Sequence, residues 1–295
     1  MSFEPEDFDP VLAAYPGLEI VHHATPADLK AALPEMELVD TWGFSPRWYE
    51  RAPKLRAVIT PAAGRDWVAD DPSGHVPVHP GTFHGPLIAE SMLSFMLHFN
   101  RRVPQMLENE RRREWDRNIQ FPSALLRNQH AVIVGYGSIG RHCAKLLTAI
   151  GMTVAGCQRT HASGVDAESG ARYCSPADLP QELARADHVV LLLPGGDATN
   201  GYLSRELLGS VKRGARVYNF GRGTTSLETD LLWALEEGIL SGAGLDVTEV
   251  EPLPAESPLW EHPAVFVQPH SSCVYDEYRP LHVVELVERL RPYVE

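Results

Sequence analysis

The sequence predicts an α/β fold in two units, the larger built on a doubly wound parallel sheet. Three observations predict it. Strand-like and helix-like stretches alternate from Ala131 to Val267, a glycine-rich turn falls at the first strand–helix junction of that series, and 295 residues exceed what one small core accommodates. In chain order, Asp7–Ala14 is helix-like. Apolar runs at Leu18–Val21, Met36–Val39 and Leu55–Thr60 then alternate with helix-like stretches such as Ala27–Leu33, the rhythm of a small α/β unit. Residues 71–86, rich in Pro, Gly and His, read as irregular connection. A long helical pattern runs from Pro86 to about Arg117, apolar as far as Phe99 and charged after Arg101, with Pro104 placed to kink or divide it. Met92, Phe95, Met96 and Phe99 recur along it at helical spacing and read as core or subunit interface.

Strands are expected next at Ala131–Gly135, Thr153–Gly156, His188–Leu193, Ala215–Asn219, Ala243–Asp246 and Val265–Val267. Helices fall between most of them, at Ile139–Ile150, Ala177–Ala184, Arg205–Val211 and Glu228–Glu237. Tyr278–Tyr293 is patterned as an amphipathic helix that returns to the first unit.

Composition narrows the function. Hydrophobic residues make up 44% and charged ones 22%, which argues against disorder. A formal net charge of -13 repels nucleic acid and anionic membranes, so neither is expected as a partner. Cys143, Cys157, Cys174 and Cys273 show no CxxC spacing and read as reduced thiols, with no zinc ribbon. His75, His79 and His84 lie in a Pro/Gly-rich stretch without supporting carboxylates, and no metal site is expected. The first residues are acidic and lack an apolar signal core, and no run reaches the roughly 18 apolar residues of a membrane span. A cytoplasmic protein is the expectation.

The segment Val132-Ile133-Val134-Gly135-Tyr136-Gly137-Ser138-Ile139-Gly140 is GxGxxG between a β-rich run and a helix. That context makes a weak motif specific. The glycines allow a tight turn, close approach to a pyrophosphate and tight helix–strand packing, and the N-terminal N–H groups from Ser138 and Ile139 onward face the phosphates. This is the signature of a Rossmann dinucleotide site. An NAD site usually carries an acid about 20 residues on, at the end of the next strand, to bond the ribose hydroxyls. Here that stretch reads Gln158-Arg159-Thr160-His161, without a carboxylate. Arg159 suits a 2'-phosphate, with Gln158, Thr160 and His161 as further donors, so NADP(H) is favoured and NAD(H) is the alternative.

Three more motifs follow predicted strands, where a doubly wound sheet places its ligands. They are Asn219-Phe220-Gly221-Arg222-Gly223, then Asp246 through Glu251-Pro252-Leu253-Pro254, then Gln268-Pro269-His270. Carbonyl reduction needs a proton donor at the oxygen, the role of an imidazole near neutral pH. A carboxylate holds that imidazole in one tautomer. An arginine binds a substrate carboxylate and polarises the carbonyl.

In combination and order, from about Leu55 to His270, these motifs resemble the D-isomer-specific 2-hydroxyacid dehydrogenase family, which includes glyoxylate/hydroxypyruvate reductases. The resemblance implies a Rossmann domain, residues 99–274, and a smaller flavodoxin-like substrate domain, residues 1–98 completed by 275–295. It implies catalysis by Arg222, Glu251 and His270, with Glu251 rather than Glu249 as the partner of the histidine. Gly135, Gly137, Ser138, Ile139, Gly140, Gln158, Arg159, Thr160, Leu193, Pro194, Asn219, Phe220, Gly221 and Asp246 are implied at the cofactor, Asp246 on the nicotinamide amide. Substrate falls to Arg222, His270 and the backbone N–H groups of Ala62, Ala63 and Gly64. A homodimer that reduces a small 2-oxo acid with NADPH, bound in the cleft between the domains, is the implied protein. An NAD-dependent dehydrogenase of the same family and a non-catalytic nucleotide-sensing corepressor on this fold are the alternatives. Three departures stand out. Asp7–Ala14 follows the start almost at once where the family opens on a strand, so a shortened first domain is expected. Arg65 follows the carboxylate loop where an apolar residue is usual, as a second anion clamp or a surface residue. Ser271-Ser272-Cys273 follow the histidine.

Overall fold

The computed structural model of the protein describes residues 3–117, 124–160 and 163–294. In chain order, α1 (Asp9–Ala14), α2 (Pro26–Ala32), β1 (Leu38–Asp40), α3 (Pro46–Tyr49), β2 (Ala57–Thr60) and β3 (Val78–Pro80) come first. Then follow α4 (Gly85–Asn100), α5 (Val103–Arg112), β4 (His130–Val134), α6 (Ser138–Ala149), β5 (Thr153–Cys157), β6 (Arg172–Cys174), α7 (Leu179–Leu183) and β7 (His188–Leu191). The chain ends with α8 (Arg205–Ser210), β8 (Ala215–Asn219), α9 (Glu228–Glu236), β9 (Leu240–Leu245), β10 (Val265–Val267) and α10 (Tyr278–Val294). Two compact units result, Met1–His84 with Val274–Glu295, and Gly85–Cys273.

The larger unit holds seven parallel strands in the order β10-β9-β8-β7-β4-β5-β6. Its inner strands are largely buried on both faces, as parallel strands with helical crossovers must be. Side chains alternate strictly: Val132, Val134, Val189, Leu191 and Val217 enter one core, and Ala131, Ile133, Val190 and Tyr218 the other. The strand order reverses between β4 and β7. There the crossovers leave in opposite directions and open a crevice at the strands' carboxyl ends.

The first boundary falls at His84/Gly85 and not at residue 98, because α4 belongs to the larger unit's core. Met92, Phe95 and Met96 are fully buried there. The Phe95 and Phe99 rings lie 2.6 and 3.0 Å from where Cβ atoms on Gly244 and Gly242 would stand, so β9 presents a glycine groove to the helix. The helical pattern divides at Arg101 and Arg102, not at Pro104. Arg102 takes a left-handed conformation (φ 52), and Pro104 falls in the first turn of α5, where its missing N–H costs nothing.

In the smaller unit three parallel strands pair in the order β1-β2-β3, and α10 packs with α1 on Ile59 through Val283, Leu286 and Leu290. The run Leu18–Val21 is not a strand. Glu19 interrupts it and Val21 is 58% exposed, so pairing it would bury little. Conversely, β3 forms inside the stretch that reads as irregular. It sits at a sheet edge, where the missing N–H of Pro80 is tolerated. The edge strand β6, Arg-Tyr-Cys, also lacks the apolar run that makes the equally short β10, Val-Phe-Val, readable.

His188 opens β7 fully buried, its Nδ1 3.0 Å from the Tyr218 hydroxyl and its Nε2 2.9 Å from Gln129 Oε1. Burial pushes its pKa down to about 3. A neutral buried imidazole stabilises the fold fully above the unfolded value near 6.5. That contribution is lost as pH falls from there towards 3, at about 1.4 kcal/mol per pH unit. Urea melts between pH 7 and 4.5 should therefore show a steeper loss for the parent than for His188→Gln, which does not titrate. Equal slopes would contradict the burial argument.

Candidate active site

The glycine turn is built by close backbone packing. Gly135 (φ +96) lies where a Cβ would meet the Leu192 carbonyl oxygen at 2.6 Å, and Gly140 where one would meet the Gly135 oxygen at 3.0 Å. Gly135 and Tyr136 donate their N–H groups to the Cys157 carbonyl at 3.2 and 3.0 Å, which seats the turn on the end of β5. Gly137, the N-cap of α6, differs: a Cβ there meets nothing within 4 Å. With the first-turn N–H groups of α6 beside it, this opening has the room and the donors that a pyrophosphate requires.

Two buried polar atoms mark the rest of the cradle. Gln158 Nε2 and Asp246 Oδ2 are buried with no hydrogen-bond partner among the described residues. Such atoms are costly unless a ligand completes them. Asp246 is 1% exposed, and burial raises its pKa. Its Oδ1 accepts from the Ser271 and Ser272 N–H groups at 2.8 and 3.1 Å, leaving Oδ2 to accept an amide N–H. Arg159 and Thr160 are exposed beyond β5, Arg159 without a carboxylate partner among the described residues. His161 lies outside the described residues. These features fit a nicotinamide dinucleotide: an open glycine for the pyrophosphate, an unpartnered donor and a cation at the end of β5, and an unpartnered acceptor at Asp246.

The loop after β8 is wired by one side chain. The buried Asn219 amide donates to the Arg222 carbonyl (3.0 Å), Ser226 Oγ (3.0 Å) and Thr225 Oγ1 (3.3 Å), and its Oδ1 accepts from Gly221 N–H at 3.0 Å. Gly221 packs against the Leu193 carbonyl oxygen, where a Cβ would stand at 2.4 Å, and Gly223 against Thr248, where one would stand at 2.0 Å. Arg222 is thereby held half-buried, its guanidinium donating to the Gly221 oxygen at 2.8 Å. Phe220 is buried against Phe95 and so supports the loop from beneath. Beside it, the Pro194 carbonyl accepts from the Thr199 hydroxyl at 2.6 Å.

His270 follows β10. Its Nδ1 stands 2.8 Å from Glu251 Oε2, and Glu251 Oε1 accepts from Thr248 N–H at 3.1 Å. The carboxylate thus takes the Nδ1 proton and leaves Nε2 at the exposed edge to exchange a proton. His270 adopts φ 46, a conformation that costs a non-glycine residue about 1–2 kcal/mol. Its own N–H, donated to the Asp246 carbonyl at 2.8 Å, holds it there. Glu249 is used elsewhere: it accepts from the Glu228 N–H at the start of α9.

In the smaller unit, the loop after β2 is anchored by Tyr278, whose hydroxyl donates to the Pro61 carbonyl at 2.8 Å, and by Gly81 N–H on the Ala62 carbonyl at 2.9 Å. Ala62 N–H leans on Thr60 Oγ1 at 3.3 Å, whereas the Ala63 and Gly64 N–H groups have no acceptor among the described residues. Arg65 is paired with Asp70 on the surface, which removes it as a second anion clamp.

The chain is similar to proteins of one family in sequence and in fold. Residues 93–272 match the family model described as D-isomer specific 2-hydroxyacid dehydrogenase, NAD binding domain. A glyoxylate/hydroxypyruvate reductase B from Yersinia pseudotuberculosis is 32% identical over 260 residues, 85% of this chain and 79% of that protein. The structure of an NADPH-dependent glyoxylate/hydroxypyruvate reductase from Sinorhizobium meliloti, in complex with NADP and sulfate, is similar with a TM-score of 0.80 and 27% identity. It covers 99% of this chain and 94% of its own. A D-isomer specific 2-hydroxyacid dehydrogenase from Xanthobacter autotrophicus Py2, in complex with NADPH and MES, gives 0.82 at 28% identity, over 99% and 93%. The protein is an oxidoreductase: it belongs to the D-isomer specific 2-hydroxyacid dehydrogenase family. Among the described residues no helix is long and apolar enough to cross a membrane.

Gly137 and Gly223 separate binding from folding. Gly223→Ala must push the Thr248 backbone aside and should cost about 1–3 kcal/mol, as overpacking does, a fall in Tm of roughly 5 °C. Gly137→Ala should keep the parent Tm and lose about tenfold or more in dinucleotide affinity, read by fluorescence titration. An unchanged affinity would remove the pyrophosphate from that opening.

Proposed function

We propose that the protein reduces a small 2-oxo acid of the glyoxylate or hydroxypyruvate kind, using NADPH. The observation that carries the reaction is the Glu251–His270 pair at 2.8 Å, a proton donor and its carboxylate on the loops after β10 and β9, with the cation Arg222 on the loop after the next strand, β8. Asp246 Oδ2 would hold the carboxamide of a bound reduced nicotinamide, whose chemistry would be hydride supply to C2. Doubly protonated His270 donates its Nε2 proton to the carbonyl oxygen, and Glu251 orients the ring by accepting its Nδ1–H. Arg222 polarises that carbonyl and binds the substrate carboxylate. Gly135 to Gly140, Leu193, Pro194, Asn219, Phe220 and Gly221 shape the cofactor's bed. The two relatives bound to NADP or NADPH and the lack of an acid at Gln158–Thr160 support the phosphorylated cofactor, NAD(H) being the alternative. The family resemblance supports a homodimer and a cytoplasmic enzyme.

A panel of 2-oxo acids assayed with both cofactors tests the reading. Glyoxylate and hydroxypyruvate should be turned over with NADPH preferred. Arg159→Ala should raise KM for NADPH about tenfold and leave NADH nearly unaffected; a parent enzyme that prefers NADH would overturn the assignment. His270→Ala should lower kcat by about 10²–10⁴-fold with cofactor affinity kept. Tight cofactor binding with no turnover of any oxo acid would favour a nucleotide-sensing corepressor instead.

A further inference from the structure

Cys157 and Cys174 are paired residues on neighbouring parallel strands, the last residue of β5 opposite the last of β6. Both side chains enter the same core cluster, so they lie on one face of the sheet. Paired parallel strands run about 4.7–4.9 Å apart. A disulfide needs its two Cα atoms 4.4–6.8 Å and its two Cβ atoms about 3.5–4.5 Å apart, so the strand spacing meets the first condition and closing the bond draws the two residues together. Both thiols are reduced. Their contact is close enough to divide the acidity: the hydrogen bond from Cys157 lowers the Cys174 thiol, and the same bond, with burial, raises Cys157. Both thiols are buried, Cys157 3% and Cys174 2% exposed. Cys174 sits on the edge strand and lines a surface cavity of about 350 Å³ with Arg172, Asp178, Gln181 and Glu182.

We propose that Cys157 and Cys174 form a reversible disulfide that lowers dinucleotide affinity. The Cys174 thiolate attacks one oxygen of a peroxide, giving a sulfenic acid and hydroxide. The Cys157 thiol then displaces the sulfenic oxygen as water and the S–S bond forms. The hydroxide takes up the remaining proton. In sum, two thiols lose two electrons and two protons, and one hydrogen peroxide becomes two waters. The effect on the cofactor rests on the function proposed above and follows from two contacts. The Cys157 carbonyl carries the Gly135 and Tyr136 N–H groups of the glycine turn, and the Gln158 N–H donates to the Cys174 carbonyl at 3.2 Å. Tying the sulfurs together pulls on both at once.

Treatment of the reduced protein with hydrogen peroxide, followed by alkylation and peptide mass spectrometry, tests the bond directly. The expected product is a linked peptide containing Cys157 and Cys174, 2 Da lighter than its reduced components and released by dithiothreitol. NADPH affinity, measured on the same samples, should fall about fivefold or more on oxidation and return on reduction. Cys174→Ser should abolish both changes, while Cys143→Ser and Cys273→Ser keep them. Absence of the linked peptide, or linkage through another cysteine, overturns the site. A linked protein with unchanged NADPH affinity overturns the regulatory half. Failure of the reduced protein to bind NADPH at all would overturn the cofactor assignment and the regulatory half, while the disulfide is still judged by its mass.

Discussion

At the carboxyl edge of the seven-stranded sheet, loops from neighbouring strands pass one another with no room for a side chain between them. Gly135 touches Leu192, Gly221 touches Leu193, and Gly223 touches Thr248, in each case at distances a Cβ would violate. The loops after β4, β7, β8 and β9 therefore form one continuous backbone surface. Backbone packed on backbone leaves few ways to shift a loop without shifting its neighbour. Functional geometry needs this property, because a displacement of about 1 Å in a reacting group is costly. Arg222 stands between two of these contact points, and Asn219 spends all its hydrogen-bonding capacity on the segment that carries it.

Asp246 extends the same logic to the histidine. Its carbonyl accepts the His270 N–H while one carboxylate oxygen holds Ser271 and Ser272. One buried residue therefore fixes the backbone of three successors and keeps its second oxygen for a ligand. The left-handed conformation of His270 persists because these bonds, and the Glu251 pair, over-determine it. Serines at 271 and 272 cause no disruption: the bonds to Asp246 come from their backbone N–H groups, and Ser271 Oγ meets Gln268 Nε2 at 2.9 Å.

Long periodic elements and glycine signatures were legible in the sequence because each depends on local pattern. The strands from β4 to β10 that carry four or more apolar or small residues in register could be read, and so could the motif residues at their ends. Elements whose existence depends on a neighbour could not. β3 and β6 are three residues each and form only because β2 and β5 offer them a ladder. Leu18–Val21 has an apolar run, yet only Leu18 packs on the core while Ile20 and Val21 are exposed. At the site, the roles of Gly223 and of the Asn219 amide were hidden for the same reason, since the residues they touch are distant in sequence. Arg65 illustrates the converse: its charge invited a functional reading, and Asp70, five residues on, claims it.

The end of β5 shows how an absence carries information. A carboxylate there would bond ribose hydroxyls and repel a 2'-phosphate. A phosphate carries about two charges, and each unit pair at 4 Å is worth about 1 kcal/mol even at the dielectric of water. Removing the acid alone thus relieves roughly 2 kcal/mol, close to a thirtyfold change in affinity. Arg159, without a described carboxylate partner, adds attraction on top of that relief. The protein is acidic overall, which makes a local patch without acids more selective than the lone arginine would be. The cofactor preference proposed for this chain therefore rests on what β5 lacks at its tip as much as on what it presents.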